Sequence, residues 1–307
     1  MAERDVSEVT RGTAMGVAAY LLWGLFPLYF DALKPTGAWE ILAHRILWTL
    51  VLCGAALVIL RDLAWIRPVL RQPRLLAGVA IAALLISTNW IVYIVAVTSG
   101  HTSDAALGYF LNPLVTVALG VVVLRERLRP LQWVAVGIGV LAFVYLAVVA
   151  GTFPVTALAL AFSFGLYGLV KNKVGVHLNA LQGLTLETAI LAPIAAAVLV
   201  GIATWGGGLD FARHGAGHAA LLAFAGVATA VPLLLFAAAA RRIPLVTVGL
   251  IQFATPIMQL LCAVLFLGEH VSPERWIGFG IVWIALILLT VDTVVTLRRA
   301  RAGRLAA

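Results

Sequence analysis

Apolar residues run along this chain in long unbroken blocks, separated by short stretches in which arginine, lysine, glycine and proline collect. A helix rising 1.5 Å per residue needs about 20 residues to cross a hydrocarbon core about 30 Å thick. Windows of that length predict ten spans, at residues 14–30, 38–60, 75–97, 103–124, 131–150, 153–171, 180–203, 219–240, 245–268 and 274–297. Within a block the apolar residues do not alternate with polar ones, as the strands of a membrane barrel require. Each span is therefore read as a helix, and the chain as an all-α integral membrane protein.

The pattern occurs twice. Residues 108–146 return in altered form at 251–289, with Pro113 matching Pro256, Glu126 matching Glu269, Pro130 matching Pro273, Trp133 matching Trp276 and Gly137 matching Gly280 at a constant offset of 143. The expected division is a five-helix repeat over 1–150, including a short polar segment 1–12, and a second over 151–307, ending in a basic tail 298–307. An odd number of spans per repeat makes the second enter the bilayer from the opposite side. The expectation is ten transmembrane helices forming two inverted five-helix repeats.

Composition agrees with this, since 63% of the 307 residues are hydrophobic, 11% are charged and the mean hydropathy is +1.07. Too little polar surface remains to cover a soluble globule. The net charge of +8 invites a nucleic-acid reading, but of the 21 Lys and Arg, 17 fall in segments on one side of the membrane. Only Lys34, Arg213 and Arg275 fall on the other, and Arg45 lies inside a span. This bias predicts cytoplasmic termini and membrane lipid, not nucleic acid, as the partner of the basic residues. No cleavable signal peptide is read at the N-terminus.

The expected loops are short, and the longest, 204–218, is too brief to fold alone. No Walker-type glycine loop, HExxH helix or GxSxG elbow occurs, which argues against an ATP-driven pump or an enzyme and predicts no cofactor. Cys53 and Cys262 fall within spans and offer neither a disulfide framework nor a thiolate metal site. His214 and His218 have metal-ligand spacing only if their segment is helical. Its glycines argue against that, so no metal is expected.

Three layers of residues are candidates for function. Pro113 and Pro256 lie near the middle of their expected spans, and proline frees the carbonyl four residues earlier. Those carbonyls belong to Tyr109 and Gln252. In hydrocarbon they need protein or water partners, so kinked or broken helices line a cavity there, with Asn112 and Thr255 adding polar side chains. A packing kink healed by neighbouring helices is the other reading.

Intramembrane charge is the second layer, because an ionisable side chain at a helix centre costs about 2.5 to 3.5 kcal/mol and persists where it faces a cavity or a partner. His44 and Arg45 enter from one side and Glu187 from the other, each about 10 Å deep. Arg45 is expected to hold an anionic group of the substrate while Glu187 or His44 exchanges a coupling proton. The alternatives are a structural Arg45–Glu187 ion pair, or an Arg45 that snorkels to the surface. Aromatic and amide groups form the third layer: Trp23, Asn89, Trp90, Tyr93 and Tyr109, with Tyr20, suit an amphipathic organic molecule better than a bare ion. Trp133 and Trp276 open their spans as interfacial anchors. Lys171 is read as a boundary lysine within reach of a vestibule, and the Gly226–Ala230 spacing as a packing face within or between chains.

The strings AYLLWGLFPLYF, EILAHRILW, TNWIVYIVAV, ALGYFLNPLVTVALG, LALAFSFGLYGLVKNK, TLETAILAP and VPLLLFAAAARR resemble the RarD-type branch of the EamA family, in the drug/metabolite transporter superfamily. The resemblance runs through both halves. It implies a ten-helix inner-membrane protein of bacteria with both ends cytoplasmic, in a branch commonly labelled chloramphenicol-sensitivity protein or permease. Arg125, where relatives usually have Gly, and Phe253, where Tyr is frequent, depart from the pattern. The expected function is a secondary transporter moving a small organic metabolite or drug by alternating access. The alternative is a passive channel or facilitator for a small polar solute.

Overall fold

The computed structural model describes residues 6–125, 128–149, 154–174, 178–243 and 251–305. The described residues are helical with short connections and contain no strand. In chain order the helices are α1 (Val6–Gly24), α2 (Phe26–Asp31), α3 (Ala38–Ile59), α4 (Ile66–Leu70), α5 (Pro73–Thr98), α6 (Thr102–Leu124), α7 (Pro130–Val149), α8 (Val155–Val174), α9 (Ala180–Trp205), α10 (Gly215–Arg242), α11 (Ala254–Leu265) and α12 (Pro273–Leu305). A single 3-10 turn, Asp210–Ala212, precedes α10. Eight described segments are long and apolar enough to cross a membrane, and Val155–Lys171 and Ala254–Leu265 are shorter apolar helices. The expected span 245–268 overlaps residues 244–250, which lie outside the described residues, as does Glu126.

Local chemistry sets the boundaries. Proline occupies the first turn of α5 and opens α7 and α12, where its missing N–H costs nothing. At α9, Asn179 Oδ1 accepts from the Gln182 N–H at 2.9 Å and Gln182 Oε1 accepts from the Asn179 N–H at 3.1 Å. This capping box satisfies two otherwise orphaned donors and fixes the helix start two turns before Glu187.

Four details differ from the sequence reading. The expected span 14–30 is two helices: α1 begins already at Val6, and Leu25 separates it from α2, whose Pro27 suits a first turn. α6 runs unbroken through Pro113, whereas Pro256 lies in the first turn of α11, after a turn at Phe253. The basic tail is helical to Leu305, continuing α12. Gly215, at φ +83, turns the chain directly into α10, so His218 is helical after all. Its ring nitrogen bonds Thr36 Oγ1 at 2.7 Å, and no three potential metal ligands cluster among the described residues.

Packing obeys a simple symmetry. The principal pairs are α1 with α10 and α11, α3 with α9 and α10, α5 with α8 and α9, α6 with α8 and α11, and α7 with α12. Exchanging α1, α3, α5, α6 and α7 for α8, α9, α10, α11 and α12 in order maps this set onto itself. The flanks are apolar: Ile59, Val122 and Val148 are each more than 70% exposed. Burying such side chains in lipid is worth roughly 25 cal/mol per Å². Arg45, Asn112 and Glu187, by contrast, are each no more than 5% exposed.

Candidate functional site

The interior polar groups meet at a cavity of about 330 Å³. α1 supplies Tyr20 and Trp23, α3 supplies Arg45, and α5 supplies Asn89, Trp90 and Tyr93. α6 adds Tyr109, Asn112 and Pro113. The other half contributes Tyr167 and Lys171 from α8, Glu187 from α9, Gln252, and Thr255, Pro256 and Gln259 from α11. From α8, α9 and α10 the lining reaches toward the helix ends nearest the α8–α9 connection, as far as Lys171, Ala180 and Ala237. A second hollow of about 390 Å³, between α5 and α8, is a more open apolar groove on the flank of the bundle.

Arg45 is 5% exposed, and its Nε donates to Thr229 Oγ1 at 2.9 Å. The guanidinium lies over the Trp90 ring at 4.2 Å, with Phe26 at 5.3 Å and Phe30 at 5.7 Å. Aromatic faces attract a cation but do not neutralise it. No carboxylate lies within 4.0 Å of the guanidinium among the described residues. Neither the Arg45–Glu187 pair nor snorkelling occurs. Glu187 is instead paired with Lys171 Nζ and approached by the Tyr167 hydroxyl at 3.4 Å. Lys171 is therefore no mere boundary residue, because it reaches inward to satisfy a carboxylate that is 2% exposed.

Asn89 organises the aromatic wall. Its Nδ2 donates to Leu160 O and Ser163 Oγ, both at 3.1 Å, and its Oδ1 accepts from the Tyr109 hydroxyl at 3.1 Å. Tyr109 in turn packs against Tyr93 at 5.6 Å and Phe164 at 6.4 Å. On the facing side, Thr255 Oγ1 donates to Tyr20 O at 2.8 Å and Gln259 Nε2 to Trp23 O at 3.2 Å, which ties α11 to α1. Among the described residues, three buried lining atoms have no hydrogen-bond partner: the Tyr93 hydroxyl, Asn112 Oδ1 and Gln259 Oε1.

His44 is the expected site residue that the fold directs elsewhere. Arg45 lines the cavity, whereas its neighbour His44 does not. Its ring stacks on Phe211 at 4.7 Å and stands 3.8 Å from Glu40. Tyr167 and Gln259, which the sequence reading missed, were within reach of helical spacing: each lies four residues from a lining partner, Lys171 and Thr255 respectively.

The opposite end of the bundle is cross-linked by hydrogen bonds and an ion pair. Glu269 accepts the backbone N–H groups of Thr102 at 2.5 Å and Ser103 at 2.8 Å, the free donors at the start of α6. Arg275 pairs with Asp104 at 3.0 Å. Glu40 accepts from the Asp210 and Phe211 N–H groups at 3.1 and 3.0 Å.

The EamA-like transporter family matches this chain twice, over residues 10–148 and 153–291. The two matches are displaced by the same 143 residues as the internal repeat. Protein RarD of Streptomyces exfoliatus is 48% identical over 296 residues, covering 96% of this chain and 93% of that protein. The chain is a RarD-type member of the EamA family. An uncharacterized transporter of Vibrio cholerae is 38% identical over 300 residues, covering 98% of each protein. A solved crystal structure, 19% identical, superposes with a TM-score of 0.60 over 92% of this chain and 98% of its own. That likeness extends the fold alone. This EamA protein is thus a bacterial multi-pass membrane protein of a transporter family, and the cavity is the place in it to look for a solute.

Proposed function

We propose that the protein is a secondary transporter of the bacterial inner membrane, moving a small organic metabolite or drug by alternating access. Ten helices form two inverted five-helix repeats, one over 1–150 and one over 151–307, with both termini cytoplasmic. The family supports the transport class, and the exchange symmetry of the packing supports two equivalent halves. The observation that carries the mechanism is the cavity, which draws its lining from both halves and holds ionisable groups that would be costly in lipid.

The basic bias makes the Lys171 end cytoplasmic, and with that end as the cavity's mouth this conformation faces inward. Closing that mouth while Glu269, Arg275 and Glu40 release the opposite end would present the cavity to the outside. Arg45, Asn89, Trp90, Tyr93, Tyr109, Asn112, Trp23 and Gln252 form the binding surface. Glu187, held by Lys171 and Tyr167, is the candidate to exchange a proton. His44, outside the cavity, has no part in the proposed coupling.

Counterflow in proteoliposomes tests this reading. Vesicles loaded with unlabelled solute should transiently accumulate labelled solute above its outside concentration. A channel or facilitator of the pore type would equilibrate without overshoot and would overturn the carrier mechanism.

A further inference from the structure

The charge balance and hydrogen-bond vacancies of the cavity specify what it binds. Among the described residues its lining carries Arg45 and Lys171 against one carboxylate, Glu187, two cations to one anion, leaving a formal +1. Lys171 and Glu187 satisfy each other. The excess therefore resides on Arg45, whose Nε is taken by Thr229 while its terminal Nη groups meet no acceptor among the described residues. Two parallel Nη–H donors match the two oxygens of a carboxylate. A single negative charge balances the cavity, whereas a dianion would overshoot it.

Of the three unpartnered lining atoms, the two amide oxygens point to the rest of the ligand. Asn112 Oδ1 and Gln259 Oε1 are buried acceptors without donors among the described residues, and a buried polar atom left unpaired is costly. A ligand supplying an N–H or O–H would satisfy them. Trp23, Trp90 and Phe164 add flat apolar rings to the same lining, with the Arg45 guanidinium over that of Trp90.

We propose that the cavity takes an organic monocarboxylate: its carboxylate on the Nη edge of Arg45, an aromatic or other flat apolar body against Trp90, and an N–H or O–H donor directed to Asn112 or Gln259. This rests on the transport reading in taking the cavity as the solute site. It goes beyond that reading by fixing the charge and donor pattern of the solute.

The test is a panel of matched probes on the detergent-purified full chain. Hippurate, indole-3-acetate and 3-phenyllactate are each compared with the corresponding primary amide at neutral pH, by tryptophan fluorescence and thermal shift. At least one acid should bind about tenfold more tightly than its amide. Arg45→Gln should reduce that ratio to near one, and Arg45→Lys should leave an intermediate preference. Should Arg45→Gln fail to fold, Thr229→Val keeps the guanidinium but removes its Nε partner. It should weaken acid binding several-fold and leave amide binding unchanged.

The proposal is overturned when no acid outbinds its amide, or when the preference survives Arg45→Gln. Arg45-dependent acid binding without counterflow of that acid sustains the site and removes the transport reading. Counterflow of an uncharged solute that none of the acids inhibits sustains transport and removes the monocarboxylate.

Discussion

The Lys171–Glu187 pair is the residue-scale feature with the most at stake, since a buried carboxylate is tolerated only with its partner in place. Removing one member of a fully buried pair costs about 3 to 5 kcal/mol. Lys171 is 28% exposed and water can partly replace it, so Lys171→Met should cost about 2 kcal/mol. Thermal unfolding in detergent should show a lower midpoint for the single variant and recovery of most of it in Lys171→Met with Glu187→Gln. No recovery would mean that Lys171 acts elsewhere.

If Glu187 carries the coupling proton, Glu187→Gln should abolish the pH dependence of transport at normal expression. Unchanged pH dependence in that variant would remove Glu187 from coupling. Arg45 and Glu187 were legible in the sequence because a charge inside an apolar block stands out. The partner of Arg45 was not, because Thr229 is 184 residues away, a separation that no local pattern encodes. His44 was read into the cavity because it adjoins Arg45, and its turn toward Phe211 and Glu40 depends on contacts that the local sequence does not show.

At the scale of elements, one glycine sets how closely α3 and α10 approach. A Cβ built on Gly226 would lie 2.5 Å from Trp48 O and 3.0 Å from Thr49 N, so the two backbones touch where Thr229 must reach Arg45. The Gly226–Ala230 spacing thus brings Gly226 against α3 within one chain. Gly226→Val should push α10 away, at a cost of about 1 to 3 kcal/mol or more, with lower yield and a lower unfolding midpoint. Gly54→Ala, where nothing lies within 4 Å of the new methyl, should leave both near the wild-type values. The long apolar helices were readable because lipid demands unbroken hydrophobicity. The α1–α2 junction and the helical tail were harder to read, because the first is marked by a single Pro27 and the second is polar enough to pass for a loop.

At the scale of the molecule, the duplication in the sequence reappears as helix pairs that exchange into one another and as two displaced matches to one family. Alternating access requires that one cavity open to one side at a time. Its most direct measurement is the reaction of Ala237→Cys, at the mouth, and Gln259→Cys, deep in the cavity, with a membrane-impermeant maleimide. The protein would carry Cys53→Ala and Cys262→Ala, in vesicles of each orientation. Both should label from the side bearing the N-terminus. Cutting the opposite closure with Glu269→Ala and Arg275→Ala should raise labelling of Gln259→Cys from the far side and lower labelling of both from the near side. Labelling that rises from both sides together, or stays confined to the near side, would contradict alternating access.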